Sequence, residues 1–210
     1  MAESLIDQLA LDACGNVSVP DLLRKALLVA SKLGVAEVPQ WINSELTGYR
    51  SINDVPPYRI IHGAIMASVA GSRFIPVQFP ANELEHTIGE RRVTDTVGEI
   101  EAMLTRDEDS LRLGFSSEEQ AFLQQLFQQG QAQFCCLVNK HKIAGILDAI
   151  KNQILQWSIE LDRAGVRGEG LSFSIEEKRK ANTVTFNANT INVGVAQVGD
   201  GNSATSEQRR

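Results

Sequence analysis

The chain has 210 residues and a net charge of −6, with 22% charged and 43% apolar residues. That length allows one domain of moderate size plus an appendage, and the acidic balance excludes the strongly basic footprint of a general nucleic-acid binder. Three cysteines, Cys14, Cys135 and Cys136, two of them adjacent, exclude a disulfide framework. No run has signal-peptide or transmembrane character, so the expected location is the cytoplasm.

The first predicted helix runs from about Ser4 to Ala13, with Leu5, Leu9 and either Ile6 or Ala13 as its apolar stripe. A second has Ser18 as N-cap, Pro20 in the first turn, Asp21 three residues after the cap and Gly34 past its end. Leu22, Leu23, Ala26, Leu27, Ala30 and Leu33 make its buried side, and Arg24 and Lys25 lie off it. A third opens near Pro39 and stops at Gly48, with Trp41, Ile42 and Leu46 inward. Joined by tight loops, the three pack most simply as a small antiparallel bundle.

Pro56-Pro57 ends the helical pattern. The β-branched stretch Tyr58 to Val69 predicts a strand, Gly71-Ser72 a turn, and Arg73 to Phe79 a second strand that completes a hairpin. Leu84 to Leu104 carries mixed helical signals, and an acidic loop follows from Arg106 to Ser110. Ser116-Ser117-Glu118-Glu119 reads as a capped start for a Gln-rich helix stopped by Gly130, and Gln131 to Val138 as a strand. The longest helix is predicted from about Lys142 to Ala164, with Ile143, Ile146, Leu147, Ile150, Ile154, Trp157, Ile159 and Leu161 at helical spacing. Gly165, Gly168 and Gly170 end it and begin a flexible joint.

After a short charged helix from Ile175 to Ala181, the tail shows a weak seven-residue repeat that aligns Val184, Ile191 and Val198. Its Asn and Gly content opposes a helix and fits short β-rungs, too few to bury a core alone. Residues 183–202 are therefore expected to order by pairing with the same tail in other subunits, giving a homo-oligomer. A loose hairpin on the same domain, or a disordered tail, is the competing reading. The expected architecture is α+β: a three-helix bundle, a small β-hairpin or sheet region, a long helix and an Asn/Gly-rich β tail. Its divisions fall at 1–170, 171–202 and a disordered 203–210.

Most recognisable chemistries lack their constellations. No P-loop, dinucleotide-binding glycine fingerprint or nucleophile elbow is present, so no cofactor is expected. His62, His86 and His141 are isolated from one another in sequence, and Glu83-Leu84-Glu85-His86 is the closest approach to a metal-ligand cluster. No metal site is expected. Cys135 and Cys136 lie in an apolar strand, one facing the core and one the other side. Arg91-Arg92 and Lys178-Arg179-Lys180 read as solvated surface.

The polar residues of the opening block resist dismissal. Glu45 lies one turn after Trp41 and one turn before Tyr49, which puts all three on one helix face. Arg24 and Lys25 sit inside the second helix, and Arg59 adjoins Tyr58. Two readings stand: an Arg–Glu pair that fixes helix packing, with tyrosines at the core edge, or a polar pocket that takes an anionic ligand through Arg24, Arg59 and the tyrosine hydroxyls.

The ordered blocks LLRKALLVASKLG, WINSELTGY and PPYR, followed by ILDAIKNQILQWSIELDRAG, resemble the AbiTii domain, an abortive-infection toxin-like domain of bacterial defence systems. The likeness covers most of Leu5 to about Ala181. By position, its motif falls on Leu23, Arg24, Lys25, Ala26, Trp41, Glu45, Leu46, Gly48, Tyr49, Tyr58 and Arg59. Of these, Arg24, Lys25, Glu45, Tyr49, Tyr58 and Arg59 have side chains able to contact a ligand. The resemblance implies an anti-phage effector without an assignable catalytic mechanism, or a non-enzymatic sensor or adaptor of a defence system. A protein partner from such a system or from phage would fit either. No membrane or nucleic-acid partner is expected.

Overall fold

In the computed structural model, which describes residues 4–69 and 73–186, Ser4 accepts a hydrogen bond from the Asp7 amide and opens α1 (Leu5–Cys14). Ser18 does the same for Asp21 at the start of α2 (Val19–Leu33), and Gly34, with φ of 76°, closes it. The buried side of α2 includes Val29, and Leu27 is only partly buried. α3 (Glu37–Thr47) begins without a side-chain cap and ends at Gly48.

The predicted strand over Tyr58 to Val69 is broken in two. A 3-10 turn (Pro57–Arg59) leads into β1 (Ile60–His62), and after Gly63 comes β2 (Ala64–Val69). The break has a steric cause. A Cβ at Gly63 would lie 2.5 Å from Cys136 Sγ and 2.6 Å from the Leu137 carbonyl oxygen, so the chain switches sheets where only glycine fits. The hairpin partner is shorter than expected: β3 (Ile75–Pro76) pairs antiparallel with β2 over two positions only.

The mixed stretch from Leu84 to Leu104 resolves into α4 (Asn82–Gly89), β4 (Glu90–Arg92) and α5 (Val97–Leu104), the last opened by a Thr96–Glu99 capping box. β5 (Ser110–Gly114) follows the acidic loop. α6 (Ser117–Leu126) starts at a Ser116–Glu119 capping box, and β6 (Ala132–Asn139) runs directly into α7 (Lys140–Arg163). α8 (Ile175–Ala181) packs against α2.

The fold is α+β, and the described residues form two antiparallel sheets, β1-β4 and β3-β2-β6-β5. The N-terminal helices do not form a closed bundle by themselves. α1 packs most extensively on α7, and α2 joins α1, α3, α5 and α7. Ile143, Ile146, Ile150, Ile154, Trp157 and Leu161 on α7 therefore share one core with Leu9, Leu22, Leu23 and Ile42. The glycines after α7 make hydrogen-bonded turns: Gly165, Gly168 and Gly170 have positive φ, and Glu177 accepts from the Arg167 and Gly168 amides. Val184 and Phe186 pack onto the core, and the rest of the tail, 187–202, lies outside the described residues.

Candidate functional site

Glu45 is the centre of the site, and α3 places it. Its helical register with Trp41 and Ile42 turns it inward, and its side chain is wholly inaccessible to solvent. An unpaired carboxylate there would be costly to desolvate, so its partners decide whether the arrangement is stable. The Arg59 guanidinium, equally buried, donates from Nη2 to Oε2 at 2.5 Å and from Nε to both carboxylate oxygens at 3.2 Å. Tyr49 Oη donates to Oε1 at 2.5 Å and Tyr58 Oη at 2.7 Å. Trp41 Nε1 in turn donates to Tyr58 Oη at 2.7 Å.

Arg59 reaches further. Its Nη1 donates to the carbonyls of Val93, at 3.0 Å, and Asp95, at 2.7 Å, in the β4–α5 connection. The same connection is held from the other side, because the Tyr49 amide donates to the Thr94 carbonyl at 2.9 Å and the Val93 amide to the Arg59 carbonyl at 3.0 Å. The Arg59 guanidinium also lies 4.9 Å from the Tyr49 ring centroid. Burial first, and then the facing Glu45 carboxylate, push both tyrosine hydroxyls far above the ordinary tyrosine range, so each donates as a neutral phenol.

α3 stops at Thr47, so Tyr49 does not share a helix face with Trp41 and Glu45 as the spacing implied. Gly48, at φ of 84°, turns the chain, and the tyrosine reaches back to Glu45 from outside the helix. Arg24 and Lys25 make their contacts elsewhere. Arg24 pairs with Asp21 at the surface of α2, with both side chains about two-thirds exposed. Lys25 pairs with Asp12 and ties α2 to α1. The structure thus gathers Glu45, Tyr49, Tyr58 and Arg59 with Trp41, and sets Arg24 and Lys25 apart from that gathering.

Among the described residues, grooves reach both tyrosines of the cluster. Tyr49 lines one of about 620 Å³ beside Gln40, Asn43, Ser44, Thr47 and Arg50. Tyr58 lines another of about 500 Å³ between β1 and α7. Beside the second groove, the rings of His62 and His86, distant in sequence, lie 3.9 Å apart, with Glu90 3.9 Å from His62 Nε2. Burial, and then the neighbouring His86, lower the His62 pKa from its ordinary value. Among the described residues, no group of three or more His, Cys, Asp or Glu is placed to hold a metal ion. Cys136 faces the core, Cys135 is buried on the opposite face of β6, and burial raises both thiols.

Sequence spacing could not supply the Val93 and Asp95 carbonyls or the Trp41–Tyr58 hydrogen bond. The first two come from a connection more than thirty residues away in the chain, with backbone groups that leave no residue signature.

Fold and site together define an α+β protein in which α3 and the β1-β4 ribbon are locked by a buried Arg–Glu–Tyr cluster. The chain belongs to the AbiTii family: the family's model matches residues 4–186. Comparison with curated proteins and with solved structures returned no match. Family membership associates the chain with abortive infection, a bacterial defence role. Among the described residues no helix is long and apolar enough to cross a membrane.

Proposed function

We propose that this protein is a toxin-like effector of abortive infection that self-assembles through residues 183–202. The observation that carries the assembly reading is how the tail is rooted. Phe186 sits 5.0 Å from the Trp41 ring and 6.4 Å from that of Trp157, so the segment beyond it leaves from an anchored point beside the buried cluster. Family membership supports the defence role. The buried cluster itself acts as scaffold in this reading: Arg59 and Glu45 are spent on each other and on backbone, and the effector surface lies outside them.

The second reading is a non-enzymatic sensor or adaptor, or a structural oligomerisation module, of a defence system. It is favoured by the same internal use of the motif side chains. Producing the full chain alone in a bacterial host separates the two. Growth arrest supports the effector; unaltered growth with retained protection in phage challenge supports the adaptor. Light scattering on the full chain and on one ending at Phe186 tests assembly, and equal protomer masses in both would sink it. The cut belongs after Phe186 and not after Ala181, because Val184 and Phe186 are part of the core packing.

A further inference from the structure

Helix α7 carries a glycine that nothing in the described chain requires. Gly145 lies inside this helix, and a Cβ built there meets no atom within 4 Å. A glycine inside a helix weakens it relative to alanine, so internal packing does not account for this one. The missing side chain leaves open the groove of about 500 Å³ between α7 and β1, lined also by Tyr58, Ile60, His62, Lys142 and Asn152.

Among the described residues, no strand pairs with the edge of β1 that faces α7. On its other edge, the Val93 amide donates to the Arg59 carbonyl and the Gly63 amide to the Gly89 carbonyl, with Ile61 opposite Arg91. Antiparallel alternation then turns the backbone groups of Ile60 and His62 the other way. Two of these are met locally: Lys142 Nζ donates to the His62 carbonyl at 2.6 Å, and the Ile60 amide donates to Pro57. The Ile60 carbonyl and the His62 amide have no partner among the described residues. An open edge beside a groove is a template for an added strand.

Where the described chain ends points to the occupant. Phe186 packs on Trp41, Trp41 donates to Tyr58, and Tyr58 lines the groove. The following residues, 187–202, contain no proline and one charged residue, Asp200. Their Thr190-Ile191-Asn192-Val193 has the β-branched composition of a strand.

We propose that this groove receives residues 187–202 of a neighbouring copy as a strand added to β1. The inference rests on the reading that the tail drives self-assembly, and it names the surface on which the tail docks. Full-length wild type, Gly145→Leu and Asn152→Trp are compared by size-exclusion chromatography with light scattering. Wild type is expected as a multiple of the 23.0 kDa protomer and both variants at protomer mass. Gly145→Leu should at the same time raise the Tm by about 2–4 °C, because it removes a helix glycine, so lost assembly cannot be read as unfolding. An oligomer retained in either variant overturns the docking site and leaves tail-driven assembly standing. A wild-type monomer, as a tail folded back on its own groove would give, overturns both.

Discussion

The Arg59 guanidinium and the Glu45 carboxylate meet at 2.5 Å with neither side chain exposed to solvent, and through that contact α3 is joined to the start of β1. A buried ion pair stabilises only when its remaining hydrogen-bonding groups are also met. Here the two tyrosine hydroxyls and two backbone carbonyls meet them. Removing one partner leaves the other charge buried without compensation.

Arg59→Ala and Glu45→Ala are each expected to cost about 3–5 kcal/mol, a fall of roughly 6–20 °C in Tm for a chain of this size. A double replacement by Glu45→Leu and Arg59→Met should be less damaging than either alanine variant, since no unpaired charge remains. Thermal melts followed by circular dichroism measure both. Single variants that melt within about 2 °C of wild type would show that the pair is not structural.

The chain has two tyrosines, Tyr49 and Tyr58, and both donate to the same carboxylate. Their folded pKa values lie above the ordinary value of 10.0. Above about pH 10 the unfolded chain therefore releases protons that the folded chain keeps, and stability falls as pH rises. An absorbance titration at the phenolate band should show no phenolate through pH 10–11 while the fold persists, then a single step for both rings on unfolding. A titration near pH 10 in the native protein would contradict the buried network. Tyr58→Phe, which also strips Trp41 of its acceptor, should lower the Tm more than Tyr49→Phe.

Local signals in the sequence placed most elements. Ser18 and Ser116 cap the helices that follow them, and the spacing along α7 identified its buried face except at Ile159, which is only partly buried. What stayed hidden depends on contacts between distant segments. The split at Gly63 is set by β6, more than seventy residues on, and β4 exists only because β1 lies opposite it. In the site, Glu45, Tyr49, Tyr58 and Arg59 were legible as polar residues among apolar ones. Arg24 had the same appearance, because helix spacing tells which side of α2 a residue occupies and not which neighbour it meets.

Arg24→Ala removes a surface pair three residues apart on one helix. Such pairs contribute about 0–1 kcal/mol, so the Tm should move by no more than about 2–4 °C. The comparison with Arg59→Ala, measured under identical conditions, is the informative one. A loss of stability at Arg24 as large as that at Arg59 would mean that its role extends beyond the Asp21 contact.

Cys14 is exposed, whereas Cys135 and Cys136 are buried with thiols raised by burial. Because the thiolate is the reacting species, a colorimetric thiol reagent at pH 7–8 should count one cysteine per native chain and three after denaturation. Rapid labelling of two or three in the native protein would show that the β6 strand opens readily.

Gly63→Ala tests the junction on which the two sheets depend. The added methyl would lie 2.5 Å from Cys136 Sγ and 2.6 Å from the Leu137 carbonyl oxygen. The thiol belongs to a buried side chain, and the carbonyl belongs to β6, whose Leu137 is held in register against Ala64. Neither can move without disturbing the four-stranded sheet. Gly89 tightens the same crossing, since its own Cβ would fall 2.7 Å from the Gly63 carbonyl oxygen. Overpacking of this kind costs about 1–3 kcal/mol, so the Tm of Gly63→Ala should fall by roughly 2–12 °C. Gly114→Ala, where a Cβ meets nothing within 4 Å, serves as the control and should leave it near wild type. Equal melting temperatures for the two variants would mean that β1 and β2 do not cross β6 as closely as described.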